Sequence, residues 1–454
     1  MAIQSTNPMT GRVEKKFDEF ISAQTFSAIS AVGKAFDSWR NSPMEQRSEC
    51  LRNLADLLRN RADKFAHLMA SEMGKPLKSG RAEVLKSATV CDFYADHGPD
   101  MLASKPLTVD GMQCSVDYAP MGAVLAVMPW NYPVWQVLRI AVPTLMAGNT
   151  MFLKHASNVP QCALAIEELF RDSIFPDNVF RTLLIGAGQV EHVLAHNSVV
   201  GVCLTGSEAA GRKVAAAAGS QLKKSVMELG GSDAFVVLDD ADIDKAAAIG
   251  AESRCSNAGQ ACIAAKRFIV MDDVYDEFVV KLKVCMESVV MGDPFDEDTV
   301  MGPMASHAFR DDLQKQVESC LAEGGKIVLG GSIPDGQAAF YPPTIITDVP
   351  FDSKAARDEI FGPVALVFRA ETEEQAMQMA NDSCFGLGGS VWTGDEEKGL
   401  RLARRIEAGL VYVNGRVSSR PPLPFGGVKN SGYGRELSTY GIREFVNVKS
   451  VCIG

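Results

Sequence analysis

The hydrophobic pattern of the chain changes near residue 120. Before that point, residues 44–72 have leucines and phenylalanines at helical spacing, which predicts one amphipathic helix. Beyond it, short apolar runs alternate with helix-like segments. The runs are Ala123–Met128, Thr150–Leu153, Arg181–Ile185, Val199–Leu204 and Lys223–Met227. This alternation is typical of repeated βα units and predicts a parallel sheet with helices on both faces.

A second α/β pattern extends from Ala234 to about Asn414. Its predicted strands lie near Phe268–Met271, Lys326–Leu329 and Leu410–Val413. No linker rich in Pro, Gly and Ser separates the two patterns, so we expect the two regions to pack around a shared cleft. Open α/β sheets bind ligands beyond the carboxyl ends of their strands, which makes this cleft the expected site.

Two further segments are predicted to be strands outside both regions. Residues 105–119 contain two β-prone runs around Asp110-Gly111, a dipeptide typical of hairpin turns. Residues 445–452 also have a strand-like composition. Because a solitary hairpin is barely stable in water, we expect these strands to pair with a strand from another subunit.

Composition narrows the class of protein. A length of 454 residues suggests about three domains. The net charge of −11 argues against nucleic acid or an anionic membrane as the main partner. The 11 cysteines include no CxxC pair, and no HExxH motif occurs, so we expect free thiols in the cytoplasm and no metal site. Residues 1–20 lack the apolar run of a signal peptide.

Candidate phosphate-binding residues follow the predicted strands. Thr205-Gly206-Ser207 opens an alanine-rich helix, where free N–H groups could bind a pyrophosphate, although Ser207 taken alone is more often a plain helix cap. Lys154 ends a strand and could bind ribose hydroxyls or a 2′-phosphate, or be a solvated surface lysine. The glycine-containing segment 186–191 lacks a third glycine and is predicted to be an ordinary strand-to-helix turn.

Two residues have the chemistry of an acyl-transfer site. Glu228 closes an apolar strand beside Gly230-Gly231 and could act as a general base if burial raises its pKa, although a surface carboxylate is the alternative. Cys262 precedes residues that favour a helix. A helix dipole would lower the pKa of the Cys262 thiol and make it a nucleophile, whereas a cysteine taken at random is buried and inert.

Seven motifs occur together in the order and approximate spacing of the aldehyde dehydrogenase superfamily. They are Pro129-Trp-Asn131-Tyr-Pro133, Lys154, Thr205-Gly-Ser207, Glu228-Leu-Gly-Gly231, Gly259-Gln-Ala-Cys262, Glu359-Ile-Phe361-Gly-Pro363 and Pro424-Phe-Gly-Gly427. With Asn7-Pro-Met-Thr-Gly11 as a match to the family's N-terminal strand, the chain resembles this family over essentially its whole length.

The resemblance implies an α/β fold of the aldehyde dehydrogenase type. Its expected parts are a Rossmann-type cofactor-binding domain (1–104 and 120–229), an α/β catalytic domain (230–430) and a small β oligomerisation element (105–119 and 431–454).

It also implies roles for three catalytic residues. Cys262 would attack the aldehyde carbon. The side-chain amide of Asn131 and the Cys262 backbone N–H would stabilise the oxyanion, and Glu228 would activate the water that hydrolyses the thioester.

The cofactor-binding residues that the resemblance implies are Trp130, Lys154, Ser157, Gly206, Ser207, Leu229, Glu359 and Phe361. Trp130 and Lys154 would line the adenosine end, whereas Glu359 and Phe361 would hold the nicotinamide end. Many family members have a glutamate where this chain has Ser157, and that carboxylate repels a 2′-phosphate. NADP is therefore predicted to be preferred, with NAD possible. Ala264 replaces a second cysteine found in some relatives, and Cys255 is no obvious substitute, so no disulfide is expected beside the nucleophile.

Substrate choice rests mainly on Arg139, in a predicted helix 133–146. The chain here resembles bacterial family members that oxidise succinate semialdehyde, in which the matching arginine binds the distal carboxylate. The alternative is an arginine that only packs on the helix surface. Ser419 could add a hydroxyl to the same carboxylate, and Arg420 and Arg254 are weaker candidates.

The predicted function is therefore NADP-preferring oxidation of succinate semialdehyde to succinate by a cytoplasmic homodimer or homotetramer, with a small aldehyde as its partner and neither nucleic acid nor membrane. One alternative is a dehydrogenase of another small aldehyde. Another is a Cys262-dependent acyl hydrolase without a redox step, although no histidine lies in the Cys262 segment.

Overall fold

Two α/β sheets and a small antiparallel sheet make up most of the computed structural model, which describes residues 3–454. In chain order the strands are β1 (Ile3–Thr6), β2 (Val13–Phe17), β3 (Lys105–Val109), β4 (Met112–Pro120), β5 (Ala123–Met128), β6 (Thr150–His155), β7 (Phe180–Thr182), β8 (Val199–Thr205), β9 (Lys224–Glu228), β10 (Asp233–Val237), β11 (Ala265–Met271), β12 (Lys326–Leu329), β13 (Thr344–Thr347), β14 (Val364–Ala370), β15 (Phe385–Gly386), β16 (Gly388–Trp392), β17 (Leu410–Val413), β18 (Val428–Lys429), β19 (Gly432–Tyr433) and β20 (Val446–Ile453).

The α-helices cover both faces of the two larger sheets. They are α1 (Ser22–Trp39), α2 (Met44–Asn60), α3 (Ala62–Met73), α4 (Leu77–Met101), α5 (Trp135–Met146), α6 (Pro160–Asp172), α7 (Val190–Leu194), α8 (Glu208–Ser220), α9 (Ile243–Cys255), α10 (Asp272–Glu287), α11 (His307–Ala322), α12 (Lys354–Arg357), α13 (Glu373–Asn381), α14 (Glu396–Ala403) and α15 (Ser438–Ile442). Within residues 3–454, no helix combines the length and the apolar character that a membrane crossing requires.

The first large sheet has six strands in the order β19-β9-β8-β5-β6-β7. Its strands are parallel except for β19, which pairs antiparallel with β9. Strand β5 has the predicted bounds because its apolar run lies between Gly122 and Pro129, residues that interrupt a strand. Strand β7 ends earlier than predicted, at Thr182.

The single helix expected over residues 44–72 is wrong. Two helices, α2 and α3, meet at Arg61, where the backbone leaves helical geometry (φ −112°, ψ 15°). Both pack against α4, so the apolar spacing continues through the bend and does not indicate it.

The second large sheet has seven strands in the order β12-β13-β14-β11-β10-β16-β17. Its middle strand β11 starts at Ala265, three residues after Cys262, so the helix expected there is wrong. Lys266 and Arg267 favour a helix by composition, but both are buried in this strand. Their side chains donate to backbone carbonyls, that of Lys266 to Cys262 O (2.7 Å) and that of Arg267 to Met379 O (2.7 Å).

The third sheet has the order β20-β4-β3, and its hairpin turns at Asp110 (φ 50°) and Gly111 (φ 81°) as the sequence predicts. Pairing of β20 with β4 places Cys452 opposite Cys114, and the two form a disulfide. The expectation that every cysteine is a free thiol is therefore wrong, since strand pairing brings together two residues far apart in sequence.

Of the predicted segment 431–454, only β20 joins this third sheet. Strand β19 instead pairs with the end of β9, beside Glu228.

Candidate active site

The carboxyl ends of neighbouring strands bring the predicted residues together. In the six-stranded sheet, Glu228 ends β9, Thr205 ends β8 and Lys154 lies near the end of β6, while Asn131 follows β5. Cys262 lies three residues before the start of β11 in the other large sheet. The site thus lies where the two sheets face each other, as the alternating pattern predicted.

The loop before Cys262 has an unusual backbone. Asn257, Ala258 and Gly259 all have positive φ angles, of 55°, 52° and 70°. Such a conformation costs a non-glycine residue about 1–2 kcal/mol, so surrounding contacts must hold it. The Gln260 side chain donates to Asn257 O (3.0 Å), and the Arg254 guanidinium donates to Gly259 O. Arg254, a weaker candidate for substrate binding, is therefore already engaged in this loop.

Hydrogen bonds connect Asn131 to the same loop. Its Nδ2 donates to Gln260 O (2.9 Å), while Asn257 Nδ2 donates to the Asn131 carbonyl (2.9 Å). The buried Lys75 ammonium donates to that carbonyl as well (2.8 Å). Asn131 and the segment leading to Cys262 therefore form one hydrogen-bonded unit, which is the arrangement an oxyanion site would need.

The Cys262 thiol does not have the predicted acidity. Burial raises the pKa of Cys262 to about 12, and the nearby charges of Lys266 and Arg139 only partly oppose this. The expected lowering of the pKa is wrong because a strand follows Cys262, so no helix dipole acts on the thiol. The loop carbonyls of Ala261 and Cys262 are held instead by Lys266, whose Nζ donates to them over 3.0 and 2.7 Å.

Glu228 is buried with 1% exposure, and neither carboxylate oxygen has a hydrogen-bond partner within residues 3–454. Burial, followed by the neighbouring Glu436, raises the pKa of Glu228 well above its usual range. Gly426, at φ 151°, leaves room for this carboxylate, since a Cβ there would lie 2.7 Å from Glu228 Oε1. The arrangement suits a general base that must first lose its proton.

Arg139 is buried against a residue that the sequence analysis missed. Its guanidinium forms an ion pair with Glu436, which is fully buried, and its Cζ lies 4.2 Å from the centre of the Phe425 ring. The sequence analysis did not predict this internal carboxylate, and the assignment of Arg139 to the substrate carboxylate stays a prediction. Nothing in the local pattern around Glu436 distinguishes it from a surface residue.

Ser419 lies in a cluster that sequence reasoning also missed. Its hydroxyl oxygen accepts hydrogen bonds from Lys86 Nζ (3.0 Å) and from the indole N–H of Trp135 (3.1 Å). Lys86 lies on α4, and the sequence around it does not distinguish it from an ordinary lysine on a helix surface. Arg420 is exposed and donates to Ser418 Oγ (3.3 Å).

The predicted phosphate-binding residues lie at two places on the six-stranded sheet. Ser207 is exposed and caps α8, accepting from Ala210 N (3.4 Å), so the plain-cap alternative describes its contact within the chain. Gly206 donates its N–H to Glu228 O (3.0 Å). Lys154 is buried and has no carboxylate within ion-pair distance among residues 3–454, and burial lowers its pKa.

The surroundings of Lys154 suit an anionic group. Ser157, three residues beyond it, is partly exposed and introduces no negative charge. A buried cation without an ion pair matches the chemistry of a phosphate, and the Glu19 carboxylate that acts on Lys154 is engaged with Gly186 and Gln189. The segment at Gly186 does not suit a phosphate. Its N–H donates to the Glu19 carboxylate (2.6 Å) as part of an ordinary turn into α7.

The residues predicted to bind the nicotinamide end of the cofactor lie close together on one side of the site. Glu359 Oε1 accepts from Gly231 N (3.1 Å) and lies 3.6 Å from Lys266 Nζ. The Trp130 ring contacts Phe361 edge-on, with centroids 6.0 Å apart, and stacks on Phe309 at 4.8 Å.

The sequence analysis assigned Trp130 and Phe361 to opposite ends of the cofactor, and their contact corrects that division. Phe309, at the start of α11, was missed. Leu229 is buried, and its N–H donates to Ser431 O (3.0 Å).

Comparisons with known proteins identify the family of this chain. Residues 1–451 match the Aldehyde dehydrogenase family. The chain is 47% identical over 453 residues to a probable succinate-semialdehyde dehydrogenase [NADP(+)] of Synechocystis sp., covering all of both chains. It is also 47% identical to an aldehyde dehydrogenase of Paenarthrobacter nicotinovorans, covering 99% of each.

A solved structure is similar over the whole chain. Succinic semialdehyde dehydrogenase from Streptococcus pyogenes, in complex with NADP+, superposes with a TM-score of 0.98 at 39% identity and full coverage of both chains. The predicted fold class is confirmed, and the names of these relatives agree with the predicted activity, substrate and cofactor. The chain belongs to the aldehyde dehydrogenase family.

Proposed function

We propose that this protein oxidises succinate semialdehyde to succinate with NADP as the preferred hydride acceptor. The observation on which the proposal rests is the grouping of Cys262, the Asn131 amide and the unpartnered buried carboxylate of Glu228 between the two sheets. Relatives at 46–47% identity are named for this substrate and for NADP(+), which supports both parts.

The residues of this chain have distinct tasks in the reaction. The thiolate form of Cys262 attacks the aldehyde carbon through Sγ and forms a thiohemiacetal oxyanion, which Asn131 Nδ2 and the Cys262 N–H stabilise. Bound NADP+ would supply the acceptor for the hydride that leaves this adduct, and the product on Cys262 would be a thioester. Glu228 then takes a proton from the water that hydrolyses the thioester.

The cofactor preference rests on Lys154 and Ser157. A buried ammonium without a carboxylate partner is costly, and a 2′-phosphate would supply the missing negative charge. Ser207 and the N-terminus of α8 would bind the pyrophosphate, Leu229 and Gly206 would line the cofactor groove, and Glu359, Phe361 and Trp130 would border the nicotinamide.

The proposal includes a homodimer or homotetramer in the cytoplasm. Strand β20 leaves apolar side chains exposed at Val448, Val451 and Ile453, which supports burial of this sheet against another subunit. Nine cysteines are free thiols, as expected in a reducing compartment, although the Cys114–Cys452 pair is an exception to that pattern.

A second candidate is the oxidation of another small, uncharged aldehyde. The ion pair of Arg139 with Glu436 favours it, because it already neutralises the predicted carboxylate ligand. A relative of equal identity named only as an aldehyde dehydrogenase leaves this option open.

The test is a panel of aldehydes with both cofactors, followed by the absorbance of the reduced nicotinamide. We expect kcat/KM for succinate semialdehyde to exceed that for butanal by about 10–100-fold with NADP, the gain typical of one charge-assisted contact. Equal values would favour the second candidate. Failure of every aldehyde to reduce either cofactor, together with hydrolysis of an activated ester such as p-nitrophenyl acetate, would identify a Cys262-dependent hydrolase instead.

A further inference from the structure

We infer that Lys266 is a positioning residue for the nucleophile, because its buried ammonium joins the backbone of Cys262 to the carboxylate of Glu359. This inference rests on the proposed function, since it takes Cys262 as the nucleophile and Glu359 as a residue of the nicotinamide end. The sequence analysis did not single out this lysine, which it expected to lie in a helix.

The Lys266 ammonium binds the backbone on both sides of Cys262. Its Nζ donates to Ala261 O (3.0 Å) and to Cys262 O (2.7 Å), and Ala264 O lies at 3.5 Å. The residue is buried, with 2% exposure. An ammonium has three protons and no acceptor, so three carbonyls of one short turn can satisfy it without water. The backbone of the turn that contains the thiol is therefore held by one cation.

The contact with Ala261 O also fixes the direction of the Cys262 N–H. The Ala261 carbonyl and the Cys262 N–H belong to one planar trans peptide unit, in which these two groups point in opposite directions. Because Lys266 holds the carbonyl from one side, the N–H is directed to the other side. That N–H is one of the two donors proposed for the oxyanion, so Lys266 acts on the oxyanion site as well as on the thiol.

The same ammonium lies beside a carboxylate predicted at the nicotinamide end of the cofactor. Glu359 Oε1 is 3.6 Å from Lys266 Nζ and accepts from Gly231 N (3.1 Å). Gly230 leaves room for the carboxylate, since a Cβ at that position would clash with Glu359 Oε2. The Glu359 side chain is 20% exposed, so it can still accept from a ligand. One cation therefore sets the position of the thiol segment relative to a residue that borders the cofactor.

Two carboxylates stabilise the charge of Lys266. Burial lowers the pKa of Lys266, whereas Glu359 and Asp233 raise it. Arg254 lowers the pKa further. Asp233 is buried as well, and its Oδ1 accepts from Gly388 N (3.1 Å). Because its charge is balanced inside the protein, Lys266 acts on the site through the backbone and through its electric field, and not as a ligand of the substrate.

The thiol of Cys262 faces the same group of charges. Burial raises the pKa of the thiol to about 12, and the charge of Lys266 opposes this most, ahead of that of Arg139. The carboxylates of Glu359 and Asp233 raise the pKa further. Removal of any one of these charges should therefore change the thiolate fraction in a direction that its sign determines.

The test measures the alkylation of Cys262 by iodoacetamide in the enzyme without cofactor or substrate, followed by mass spectrometry of the peptide that contains Cys262. Lys266→Met keeps most of the side-chain length and removes the charge. We expect the rate at pH 7 to fall by about 3–10-fold, because each tenfold loss of thiolate is partly offset by the greater nucleophilicity of a more basic thiolate. Lys266→Arg retains the charge and should stay within about twofold of the wild type.

Glu359→Gln gives the opposite prediction. It removes a charge that raises the Cys262 pKa and leaves Asp233 beside Lys266, so the alkylation rate at pH 7 should rise by about 2–3-fold. A general loosening of the turn would instead change this variant and Lys266→Met in the same direction. Because Glu359 is partly exposed, this variant also decides the question if Lys266→Met does not fold.

Arg267→Met is the matched control for the loss of a buried cation. Arg267 is the next residue of β11 and is also buried. Its guanidinium donates to three carbonyls outside the Cys262 turn, those of Ser232, Met379 and Ala380. We expect this variant to lower Tm and to leave the alkylation rate within about twofold of the wild type. An equal fall in both methionine variants would show a structural effect and overturn the inference.

The outcomes separate this inference from the proposed function. If Cys262→Ala keeps aldehyde oxidation, the nucleophile and with it the proposed mechanism are wrong, whatever the alkylation rates. If Cys262→Ala loses oxidation while alkylation is unchanged by Lys266→Met, or does not rise in Glu359→Gln, only the assignment of Lys266 fails.

Discussion

The cations at the centre of the site have carboxylate partners, whereas those at its two ends do not. The pairs of the centre are Lys75–Glu83, Arg139–Glu436 and Lys266–Glu359. At the ends, Lys86 lies beside Ser419 and Lys154 lies near Ser157, each without a carboxylate within ion-pair distance among residues 3–454.

The presence or absence of a carboxylate partner distinguishes cations that stabilise the fold from cations that are available to bind a ligand. A buried ion pair is stable only when both partners are present, so the paired cations hold backbone segments such as the Asn131 turn and the Cys262 loop. An unpaired cation in a partly buried place gains most from an anionic ligand. The two ends match the two anionic groups of the proposed reaction, a carboxylate and a 2′-phosphate.

The largest effect is expected at the centre, from Cys262→Ala. Without a nucleophile, aldehyde oxidation should fall by at least about 10³-fold, while NADP binding, measured by fluorescence titration, should be retained. Cys285→Ser is the control, since this partly exposed thiol lies on α10, outside the proposed site, and its loss should leave activity unchanged. Substantial oxidation by the Cys262 variant would show that another residue is the nucleophile.

Loss of a partner at the centre should also destabilise the fold. Glu83→Gln leaves Lys75 buried and unpaired, so the free energy of unfolding should fall by about 3–5 kcal/mol. Lys86→Met, at an unpaired end, should change it by less than about 1 kcal/mol. Urea titrations measure both values, and equal losses would remove the distinction between centre and ends.

At the cofactor end, Lys154→Ala should raise KM for NADP by about 10–100-fold and KM for NAD far less, because only NADP has a 2′-phosphate. Ser157→Glu should act in the same direction by repulsion. Initial rates with both cofactors test this, and a parallel rise in the two KM values would contradict a phosphate-specific role.

Rate and selectivity should respond to pH in opposite directions. The thiolate fraction of Cys262, whose pKa is raised to about 12, increases about tenfold per pH unit below that value, so kcat/KM should rise from neutral to alkaline pH. Lys86, whose pKa burial lowers to about 8, lies beside Ser419 and loses its charge as pH rises through that value, so the preference for the acid-bearing aldehyde should fall.

Rate profiles for succinate semialdehyde and butanal across this range measure both trends. Arg139, Arg416, Arg420 and Glu83 also act on Lys86. A preference that stays constant with pH would argue against a contribution of the Lys86 charge to it.

Local patterns predicted much of the fold. The run Ala123–Met128 became β5 because its residues are uniformly apolar and bounded by Gly and Pro, and Asp110-Gly111 formed the expected turn because both residues tolerate positive φ. The strand predicted near Phe268–Met271 starts earlier, at Ala265; this start was missed because Lys266 and Arg267 favour a helix when solvated, whereas here buried carbonyls satisfy their charges.

The site was only partly predictable for a related reason. Glu228 and Cys262 were found from glycines and small residues next to them in sequence. The partners of Arg139 and Ser419, namely Glu436 and Lys86, come from distant segments, and their pairing depends on how helices and sheets pack. No spacing rule connects such residues, and the same holds for the disulfide of Cys114 with Cys452.

The most direct test of this account is the thermal stabilisation of the enzyme by its anionic ligands. We expect NADP to raise Tm more than NAD does, and succinate to raise it on its own, since each anion neutralises an unpaired cation in the folded state. Lys154→Ala should abolish only the difference between the cofactors, and Lys86→Met should weaken only the effect of succinate. Retention of both effects at full size in both variants would contradict the account.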